Sequence, residues 1–442
     1  MIQFPEAWKT KIIPHAIQHR LITEPYRFKT VPAGRRSGKT FQFKRHVVKQ
    51  AMKVKGPYFA GAPVQGQAKK IFWNDLDDLI PKWYRSKQPN KTNMIFYLNN
   101  GSEIHVVGLD KPERIEGIPW QGGGIDEFGN CKAGTWGEHV RPALSTIGLN
   151  AWCWLFGVPE GMNEYYTLCK DAESGIDPDW MNYTWFSSDI LPAHEITAAK
   201  RQLSPRQFRQ EYEASFEGAT GRVYADYTQK NHTKKVFDPG KPIHWMHDFN
   251  FVPLSSAICQ IESKKKKINK GTINEKIINV DHIYCIDEIV LESAVAKNAA
   301  IEFIEKYKGY ERVPVYLYGD ASGRVGEKHN IESEYITIKK ILQKAGFEVH
   351  ERYPKANPSI KNGQNSLRAK ILNADGERFL HVNPTKAKYC DEGLLTVQLK
   401  DGSAFQEKES KFQHITTALR YFTNVLWPVS GGLGIFEFDS GM

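Results

Sequence analysis

The chain of 442 residues is 40% hydrophobic and 25% charged, a composition typical of globular proteins and unlike that of disordered chains. No stretch reaches the roughly 18 uncharged apolar residues of a membrane span, and the N-terminal segment lacks the apolar core of a secretion signal. Sixty basic residues against fifty acidic ones give a net charge of +10, which favours a polyanionic partner without identifying it. The six cysteines form no Cys-x-x-Cys pair, so they predict reduced thiols rather than a disulfide frame or a zinc site.

The first half of the chain alternates predicted strands and helices, which favours a mostly parallel sheet covered by helices. A helix is predicted at residues 40–53, with Phe43, Val47 and Ala51 on one face. Asn99-Asn100-Gly101 is a hairpin signal, because Asn and Gly tolerate positive φ. Strands are predicted at residues 28–32, 58–63, 94–98, 102–108, around Ile125, and at 152–158.

A helical, charged stretch at residues 193–217 is followed by a loop with Gly218, Gly221 and Pro239-Gly240, where we place a domain boundary. The final predicted helix carries Ile415, Ala418, Leu419, Phe422 and Leu426 at helical spacing, which predicts one continuous buried face. The basic run Lys264–Lys267 predicts either a solvated hairpin tip or a finger that grips phosphates. The remaining elements predicted here are an extended run at 243–261, strands at 277–290 and 313–320, and helices at 293–308, 333–345 and 411–426.

Residues 33–40 read AGRRSGKT between a predicted strand and a predicted helix, the context of a phosphate-binding loop. Backbone amides and the helix N-terminus would hold phosphate oxygens, Lys39 would neutralise their charge, and the Thr40 hydroxyl would hold Mg²⁺. The first glycine of the motif is displaced by one position, because Ala33 precedes Gly34. The predicted nucleotide-binding residues of the loop are Gly34, Arg35, Arg36, Ser37, Gly38, Lys39 and Thr40.

A second motif, GGGIDEF at residues 122–128, supplies the carboxylates that a phosphate loop needs. Asp126 would hold Mg²⁺ through water, and Glu127 would position or deprotonate the attacking water. The three glycines before Ile125 depart from the usual apolar strand. Together with the phosphate loop, this motif predicts an ATPase.

These motifs resemble the large terminase subunit of tailed double-stranded DNA bacteriophages. The resemblance rests on AGRRSGKT, on IDEF, on FGVPEGMN at 156–163 and on FRQEYEASFEGATGRVY at 208–224, and it covers most of residues 15–425. It implies an α/β fold with four parts: a P-loop (ASCE-type) ATPase domain at 1–192, a lid and linker at 193–240, an RNase H-like nuclease domain at 241–428, and a C-terminal tail at 429–442.

The resemblance also implies roles for single residues of the first domain. Arg35 or Arg36 would contact the nucleotide phosphates, and Gly157-Val158-Pro159 would couple hydrolysis to movement. Gln18 stands where the family places an adenine-reading glutamine, with a solvent-exposed helix residue as the alternative.

Partners are implied by the same resemblance: a homo-oligomeric ring docked on the portal protein of a prohead, and a small terminase subunit that chooses the target DNA. The family's Arg-x-Gly step, sometimes an arginine finger for a neighbouring subunit, is replaced here by Glu116-Gly117. Arg114, two residues earlier, is therefore a weak candidate for the finger.

Two aspartates of the second half are candidates for a nuclease site. Asp248 is embedded in a strand-like run and Asp320 ends VPVYLYGD, although a turn-forming aspartate is the alternative for each. A buried lone aspartate is costly without a metal or base, and two-metal cleavage of phosphodiesters uses clustered carboxylates. Together they predict a metal-dependent endonuclease with both residues as catalytic groups and metal ligands. Asn357-Pro358-Ser359 and residues 373–376 resemble segments near the family's nuclease site, but their composition favours turns.

The family pattern fails at one position of the final helix. The family has His-x-x-Asp-Ala-Leu there, whereas this chain has Thr417 in place of the acid. His414, Thr417 and Tyr421 share one flank of the helix. His414 is a predicted metal ligand or catalytic base, with a hydrogen-bonding core histidine as the alternative, and Glu288 or Glu409 are candidates for the missing charge.

The sequence thus predicts a motor and nuclease that uses ATP to move double-stranded DNA into a prohead and Mg²⁺ or Mn²⁺ to cut the concatemer, in the host cytoplasm and without a membrane. Its DNA contacts would be mostly with phosphates. One alternative is a P-loop helicase-nuclease of repair or defence, for which 442 residues leave little room for a strand-separating domain. The other is a DNA-binding scaffold that senses nucleotide, against which the intact Lys39, Thr40, Asp126 and Glu127 argue.

Overall fold

The computed structural model describes residues 5–8, 14–146, 148, 150–217, 221–249, 253–268, 275–292, 295–321, 333–400, 403 and 405–429. They divide into two compact units: Met1–Thr197 with Phe208–Gly218, and Ala198–Gln207 with Ala219–Met442. The tail predicted at 429–442 lies, except for residue 429, outside the described residues. Within the described part of the chain, no helix has the length and apolar character needed to cross a membrane.

The first unit contains a mostly parallel sheet, as the alternation of strands and helices predicts. Its strands are β1 (Phe28–Pro32), β2 (Pro57–Ala62), β3 (Ile95–Tyr97), β4 (Glu103–Gly108), β5 (Gly122–Asp126), β6 (Trp152–Gly157) and β7 (Trp180–Asn182). Among the described residues these seven strands have the order β3-β4-β2-β5-β6-β1-β7, and only β3 and β4 are antiparallel neighbours. The predicted hairpin turn joins β3 to β4, and Gly101 takes a φ of +83° there.

Helices cover this sheet. They are α1 (Ala16–Thr23), α2 (Lys39–Lys53), α3 (Gln65–Ala68), α4 (Asn74–Leu79), α5 (Arg141–Ala143) and α6 (Glu164–Ser174), with π-helical turns at Lys69–Trp73 and Thr135–Val140. The predicted apolar face of α2, formed by Phe43, Val47 and Ala51, is completely buried. The predicted helical stretch at 193–217 contains two helices, α7 (Ala193–Gln202) and α8 (Pro205–Tyr212).

The second unit contains a mixed sheet. Its strands are β8 (Ile243–Asp248), β9 (Leu254–Ile268), β10 (Lys276–Leu291), β11 (Val315–Gly319), β12 (Val349–Glu351) and β13 (Leu380–Val382). Across the described residues their order is β12-β11-β8-β9-β10-β13. The hairpin pairs β8-β9 and β9-β10 are antiparallel, whereas β8-β11, β11-β12 and β10-β13 are parallel. The carboxyl ends of β8 and β11 therefore meet at one edge of the sheet.

In the described part of the second unit, the sheet is accompanied by α9 (Ala296–Lys306), α10 (Glu334–Lys344), α11 (Ile360–Ile371), α12 (Lys388–Thr396) and α13 (Gln413–Leu426). The apolar face predicted for α13 is fully buried at Ile415, Ala418, Leu419 and Phe422. These side chains share one core with Met246 and Tyr318, which come from β8 and β11. This packing holds the first turns of α13 beside the carboxyl ends of both strands.

Two predictions for this unit are wrong. The run 243–261 is not one extended segment, because β8 ends at Asp248 and β9 begins at Leu254, with residues 250–252 outside the described part. Lys264–Lys267 does not form a hairpin tip but lies within β9, paired with β10. Cross-strand contacts stabilise these lysines in the strand: Lys264 Nζ donates to the Tyr284 hydroxyl at 3.2 Å, and Lys267 pairs with Glu275 at 3.3 Å.

Candidate active sites

The phosphate loop lies between the carboxyl end of β1 and the N-terminus of α2, where backbone amides collect. Arg36 and Gly38 take positive φ angles of 55° and 86°, and Ser37 Oγ donates to the Gly34 carbonyl at 2.5 Å. A Cβ atom on Gly34 would lie 2.4 Å from Ser187 Oγ, so only glycine fits there. This contact explains why the motif keeps a glycine at position 34, although position 33 is alanine.

Lys39 is the buried cation of the loop. Its Nζ donates to the carbonyl oxygens of Ala33 at 3.2 Å and Gly34 at 3.1 Å. Burial lowers the pKa of this ammonium, while the nearby carboxylates of Glu127 and Asp126 counteract the shift. The lysine therefore presents a poorly hydrated positive charge inside the loop, as a bound phosphate requires.

Asp126, the last residue of β5, faces the start of α2. Thr40 Oγ1 donates to Asp126 Oδ2 at 2.7 Å. Burial raises the pKa of Asp126 to about 6, with a further contribution from Glu127 and opposing ones from Lys39 and the Thr40 hydrogen bond. The hydroxyl and carboxylate predicted to serve one Mg²⁺ ion therefore lie in direct contact.

The three glycines before Ile125 have a steric cause. A Cβ atom at Gly122 would lie 2.3 Å from Trp152 Nε1, at Gly123 2.4 Å from Phe59, and at Gly124 2.5 Å from Phe43. Large aromatic side chains thus cover β5 on both faces, and the strand has no room for side chains of its own until Ile125.

Glu127 has a strained backbone that fixes its position. Its φ and ψ are 53° and 40°, the left-handed region, which is uncommon for a residue other than glycine and frequent at functional sites. Its amide donates to Asp126 Oδ1 at 2.9 Å. Gly157, the first residue of the predicted coupling segment, comes so close that an added Cβ would lie 3.0 Å from the Glu127 Cα. The Gly157 carbonyl also accepts from the Ala33 amide at 3.2 Å, so this segment contacts both the phosphate loop and the carboxylate motif.

Gln18, in α1, contacts the phosphate loop. It is completely buried, so the alternative of a solvent-exposed helix residue is wrong. Its Nε2 donates to the Ser37 carbonyl at 2.9 Å, and Trp185 Nε1 donates to the same oxygen at 2.9 Å. Sequence reasoning missed Trp185, because nothing local marks a tryptophan after β7 as a partner of the loop.

The three arginines of this unit that were singled out from the sequence have different neighbours. Arg35 Nε contacts Glu211 Oε2 at 2.5 Å, and its amide donates to the Glu211 carbonyl at 2.6 Å. Arg36 is exposed beside it. Arg114, the weak candidate for a finger, pairs with Asp110 at 3.0 Å. The end of α8 is therefore bonded directly to the phosphate loop, a link that sequence reasoning did not predict.

A second site lies at the edge of the other sheet, in the second unit. His247 of β8 is paired with Gly319 of β11, so Asp248 and Asp320 follow at the same end of two adjacent parallel strands. His414, in the first turn of α13, contacts Asp248 Oδ2 through Nδ1 at 3.1 Å. The structure thus brings Asp248, Asp320 and His414 to one edge of the sheet. In the part of the chain that is described, no three or more His, Cys, Asp or Glu side chains form a metal cluster.

Thr417, one turn after His414, is buried and carries no charge. Its hydroxyl accepts from Arg420 Nη2 at 3.1 Å, and Arg420 Nη1 pairs with Glu407 Oε1 at 2.6 Å in the interior. Burial raises the pKa of Tyr421, with further contributions from Asp320 and Asp248. The position of the family's helix acid is therefore held by a neutral hydroxyl next to a buried ion pair.

Asn357 belongs to this site, so the interpretation as a simple turn is wrong for it. Its Nδ2 donates to Asp320 Oδ1 at 2.5 Å, and its Oδ1 accepts from the Ala321 amide at 2.8 Å. The turn interpretation fits residues 373–376, where Gly376 has a φ of +85°. A long-range contact across 37 positions leaves no local signal in the sequence, so Asn357 could not be assigned from its turn chemistry alone.

Glu288 and Glu409, the two candidates for the negative charge absent at Thr417, have different surroundings. The Glu288 carboxylate accepts the backbone amides of Tyr389 and Cys390, each at 2.8 Å, and so caps α12. Burial raises the pKa of Glu288 to about 7. Glu409 lines a cavity of about 820 Å³ together with His414.

Comparisons with known proteins agree with this geometry. Residues 31–226 match the family model of the terminase large subunit, T4likevirus-type, N-terminal. The large terminase subunit of Escherichia phage T5 is 24% identical over 226 residues, which are 50% of this chain and 51% of that protein, so the match spans about half the length of the relative. The structure of the large terminase of the thermophilic bacteriophage D6E matches this chain with a TM-score of 0.59 at 13% sequence identity. The match covers 96% of this chain and 99% of the D6E chain. The structure of the same terminase with ADP has a TM-score of 0.58 at 13% identity, and the match covers 92% of this chain and 98% of that chain. Residues 31–226 therefore match the N-terminal domain of the terminase large subunit, and the chain has the fold of the phage large terminases.

Proposed function

We propose that this chain packages the genome of a tailed bacteriophage, with ATP hydrolysis in the first unit and DNA cleavage in the second. The observation that carries the proposal is the arrangement around the phosphate loop. Lys39 lies buried in the loop, and Thr40 contacts Asp126 at 2.7 Å. Three groups with separate roles in phosphate and cation binding thus converge on one strand-to-helix turn.

ATP would bind with its phosphates on the loop amides and the Lys39 ammonium. The Thr40 hydroxyl and the Asp126 carboxylate are hard oxygen donors, which suit Mg²⁺. When bound, the ion would neutralise charge that develops on the phosphates. Glu127 would orient the attacking water and accept its proton, and its strained backbone holds the carboxylate in place for that task.

The nuclease would use Asp248 and Asp320, whose carboxylates are also hard oxygen donors and suit Mg²⁺ or Mn²⁺. A divalent ion would supply Lewis acidity and an activated water. His414 contacts Asp248, and Asn357 donates to Asp320, so each carboxylate is oriented by a neighbour. His414 would take a proton from that water.

The partners follow from the proposed activity. Double-stranded DNA would be moved by the first unit and cut by the second, and its contacts would be mainly to phosphates, in line with the net charge of +10. A small terminase subunit would choose the cutting site, and a ring of copies would act on the portal of the prohead in the cytoplasm of the infected host. The name of the T5 relative, a terminase large subunit, supports this assignment.

Phosphate release from ATP by the full chain in the presence of Mg²⁺ tests the first half of the proposal. Lys39→Ala and Thr40→Ala should each lower the rate by about 100-fold or more, because each removes a group that binds the reacting phosphates or their ion. Lys53→Ala is the matched control, since Lys53 is an exposed lysine at the other end of α2. Equal rates in all four proteins would refute the assignment of the loop.

A further inference from the structure

A cationic cavity lies at the β3 edge of the first unit. Its volume is about 740 Å³, and its lining includes Lys82, Arg85, Lys87 and Lys91 against a single acid, Asp77. None of these residues belongs to the phosphate loop or to the carboxylate motif at 122–128. The excess of positive charge points to an anionic ligand.

The cavity is remote from the nucleotide site. Bridges from Arg85 to Leu98 and from Asn90 to Ile95 place the segment 85–90 beside β3, the edge strand of the sheet. β1, which leads into the phosphate loop, is five strand spacings away, or about 24 Å at about 4.8 Å per strand. A ligand in the cavity would therefore be separate from bound ATP.

Arg85 gives the cavity a fixed charge. Its side chain is only 10% exposed, Nη1 contacts Asp77 Oδ1 at 2.7 Å, and Nη2 donates to the Ile80 carbonyl at 2.8 Å. Its buried Nε has no hydrogen-bond partner among the described residues. This guanidinium is held in place, whereas Lys82, Lys87 and Lys91 are exposed; of these, Lys87 Nζ lies over the Tyr97 ring, 3.7 Å from its centroid.

Most residues that line the cavity are charged or polar, and its aromatic residue is covered. Trp73, its aromatic member, is 8% exposed and packs against Phe96 with ring centroids 4.4 Å apart. Asn74 and Gln88 add amide donors at the rim. Trp73 also ends the π-helical turn Lys69–Trp73, and such turns are rare and frequent at functional sites.

We propose that this cavity binds the phosphodiester backbone of double-stranded DNA without reading its sequence. The inference rests on the proposed function, because DNA is the polyanion that the proposed motor would move and the proposed nuclease would cut. Exposed lysines around a fixed guanidinium match a row of phosphates, and the tryptophan of the lining, Trp73, is covered and offers no ring face to a base. The first unit would then hold DNA at a point separate from the site of hydrolysis.

The test is the salt dependence of duplex binding by the full chain, measured by fluorescence anisotropy with a labelled random-sequence duplex and a chelator that prevents cleavage. The cavity variant carries Lys82→Gln, Lys87→Gln and Lys91→Gln. The control variant carries Lys53→Gln, Lys55→Gln and Lys111→Gln, three exposed lysines of the same unit. Both variants lose the same charge, so a difference between them reports on position.

The cavity variant should bind about tenfold more weakly near 100 mM salt, and its slope of log affinity against log salt should be smaller by about 2 to 3, since each phosphate contact contributes about 0.9. The control should stay within about twofold of the wild type, and both variants should hydrolyse ATP without DNA at the wild-type rate. Equal losses in the two variants would overturn the cavity as a DNA site. A second arm titrates inorganic tripolyphosphate: if the cavity variant weakens only this ligand, the cavity takes a free polyphosphate instead. A wild type that does not bind the duplex at all would overturn the proposed function as well.

Discussion

Replacing Gln18 with leucine tests whether this residue holds the phosphate loop or reads the base of the nucleotide. The side chain is fully buried, and its Nε2 donates to the Ser37 carbonyl at 2.9 Å. Its Oε1 lies 3.5 Å from Nε2 of Gln42. Leucine is similar in size and removes both contacts, while Trp185 still donates to Ser37. The substitution therefore removes one of two anchors of the loop.

The expected loss follows from these contacts. A hydrogen bond contributes about 1 kcal/mol net, and a buried amide that loses its partner costs about 1–3 kcal/mol. Leucine offsets part of this cost, because its side chain is favourable in an apolar interior. A loop destabilised by about 1–2 kcal/mol would bind nucleotide about 5- to 30-fold more weakly.

The assay is equilibrium binding of fluorescent ATP and GTP analogues to the wild type and to Gln18→Leu. Trp185→Phe is the matched variant, because it removes the other donor to Ser37 and keeps an aromatic ring. Anchoring of the loop predicts the same loss for both nucleotides in each variant. A loss confined to ATP, and seen only in Gln18→Leu, would refute this reasoning and show that the amide reads adenine.

Three further predictions concern single side chains. Glu127→Gln should lower ATP hydrolysis by about 100-fold or more and leave ATP affinity within about threefold, because the base is lost while the phosphate contacts remain; unchanged turnover would remove Glu127 as the base. Burial raises the pKa of Glu288 from 4.5 to about 7. Between these pH values the folded chain binds more protons than the unfolded chain, so the wild type loses stability as the pH rises from 4.5 to about 7. Urea unfolding at several pH values should show that Glu288→Gln flattens this decline by roughly 3 kcal/mol, whereas parallel curves would contradict the assignment. Thr417→Asp adds a carboxylate one helical turn after His414 and should tighten Mn²⁺ binding by roughly tenfold in calorimetric titration, with unchanged affinity as the contrary result.

The elements that the sequence predicts well are those with local causes. β1, the phosphate loop and α2 were predicted together, because a strand, a Gly-Lys-Thr turn and a helical apolar face follow one another directly. The hairpin at Asn99-Asn100-Gly101 was predicted for the same reason, since a positive φ at Gly101 is a local requirement. The helix Gln413–Leu426 was predicted from its continuous buried face.

The features that were missed depend on contacts between distant parts of the chain. Asn357 donates to Asp320, 37 positions earlier in the chain, whereas the composition of its own segment indicates only a turn. Gln18 was a candidate from the resemblance, but its burial and its hydrogen bond to Ser37, 19 positions away, left no local signal, so an exposed helix position stayed open as the alternative. Lys264–Lys267 looks like a loop by charge, yet its pairing with β10 keeps it in a strand.

The most direct test of a chain with two active sites is cleavage of supercoiled plasmid in Mg²⁺ or Mn²⁺, measured alongside ATP hydrolysis. The proteins are the wild type, Asp248→Ala and Asp320→Ala, which change only the second unit. We predict that the wild type converts the plasmid to nicked and linear forms, and that both variants leave it intact while they hydrolyse ATP at the wild-type rate. Cleavage that survives in both variants, or a wild type that never cuts, would contradict the assignment of a nuclease to the edge where β8 and β11 end.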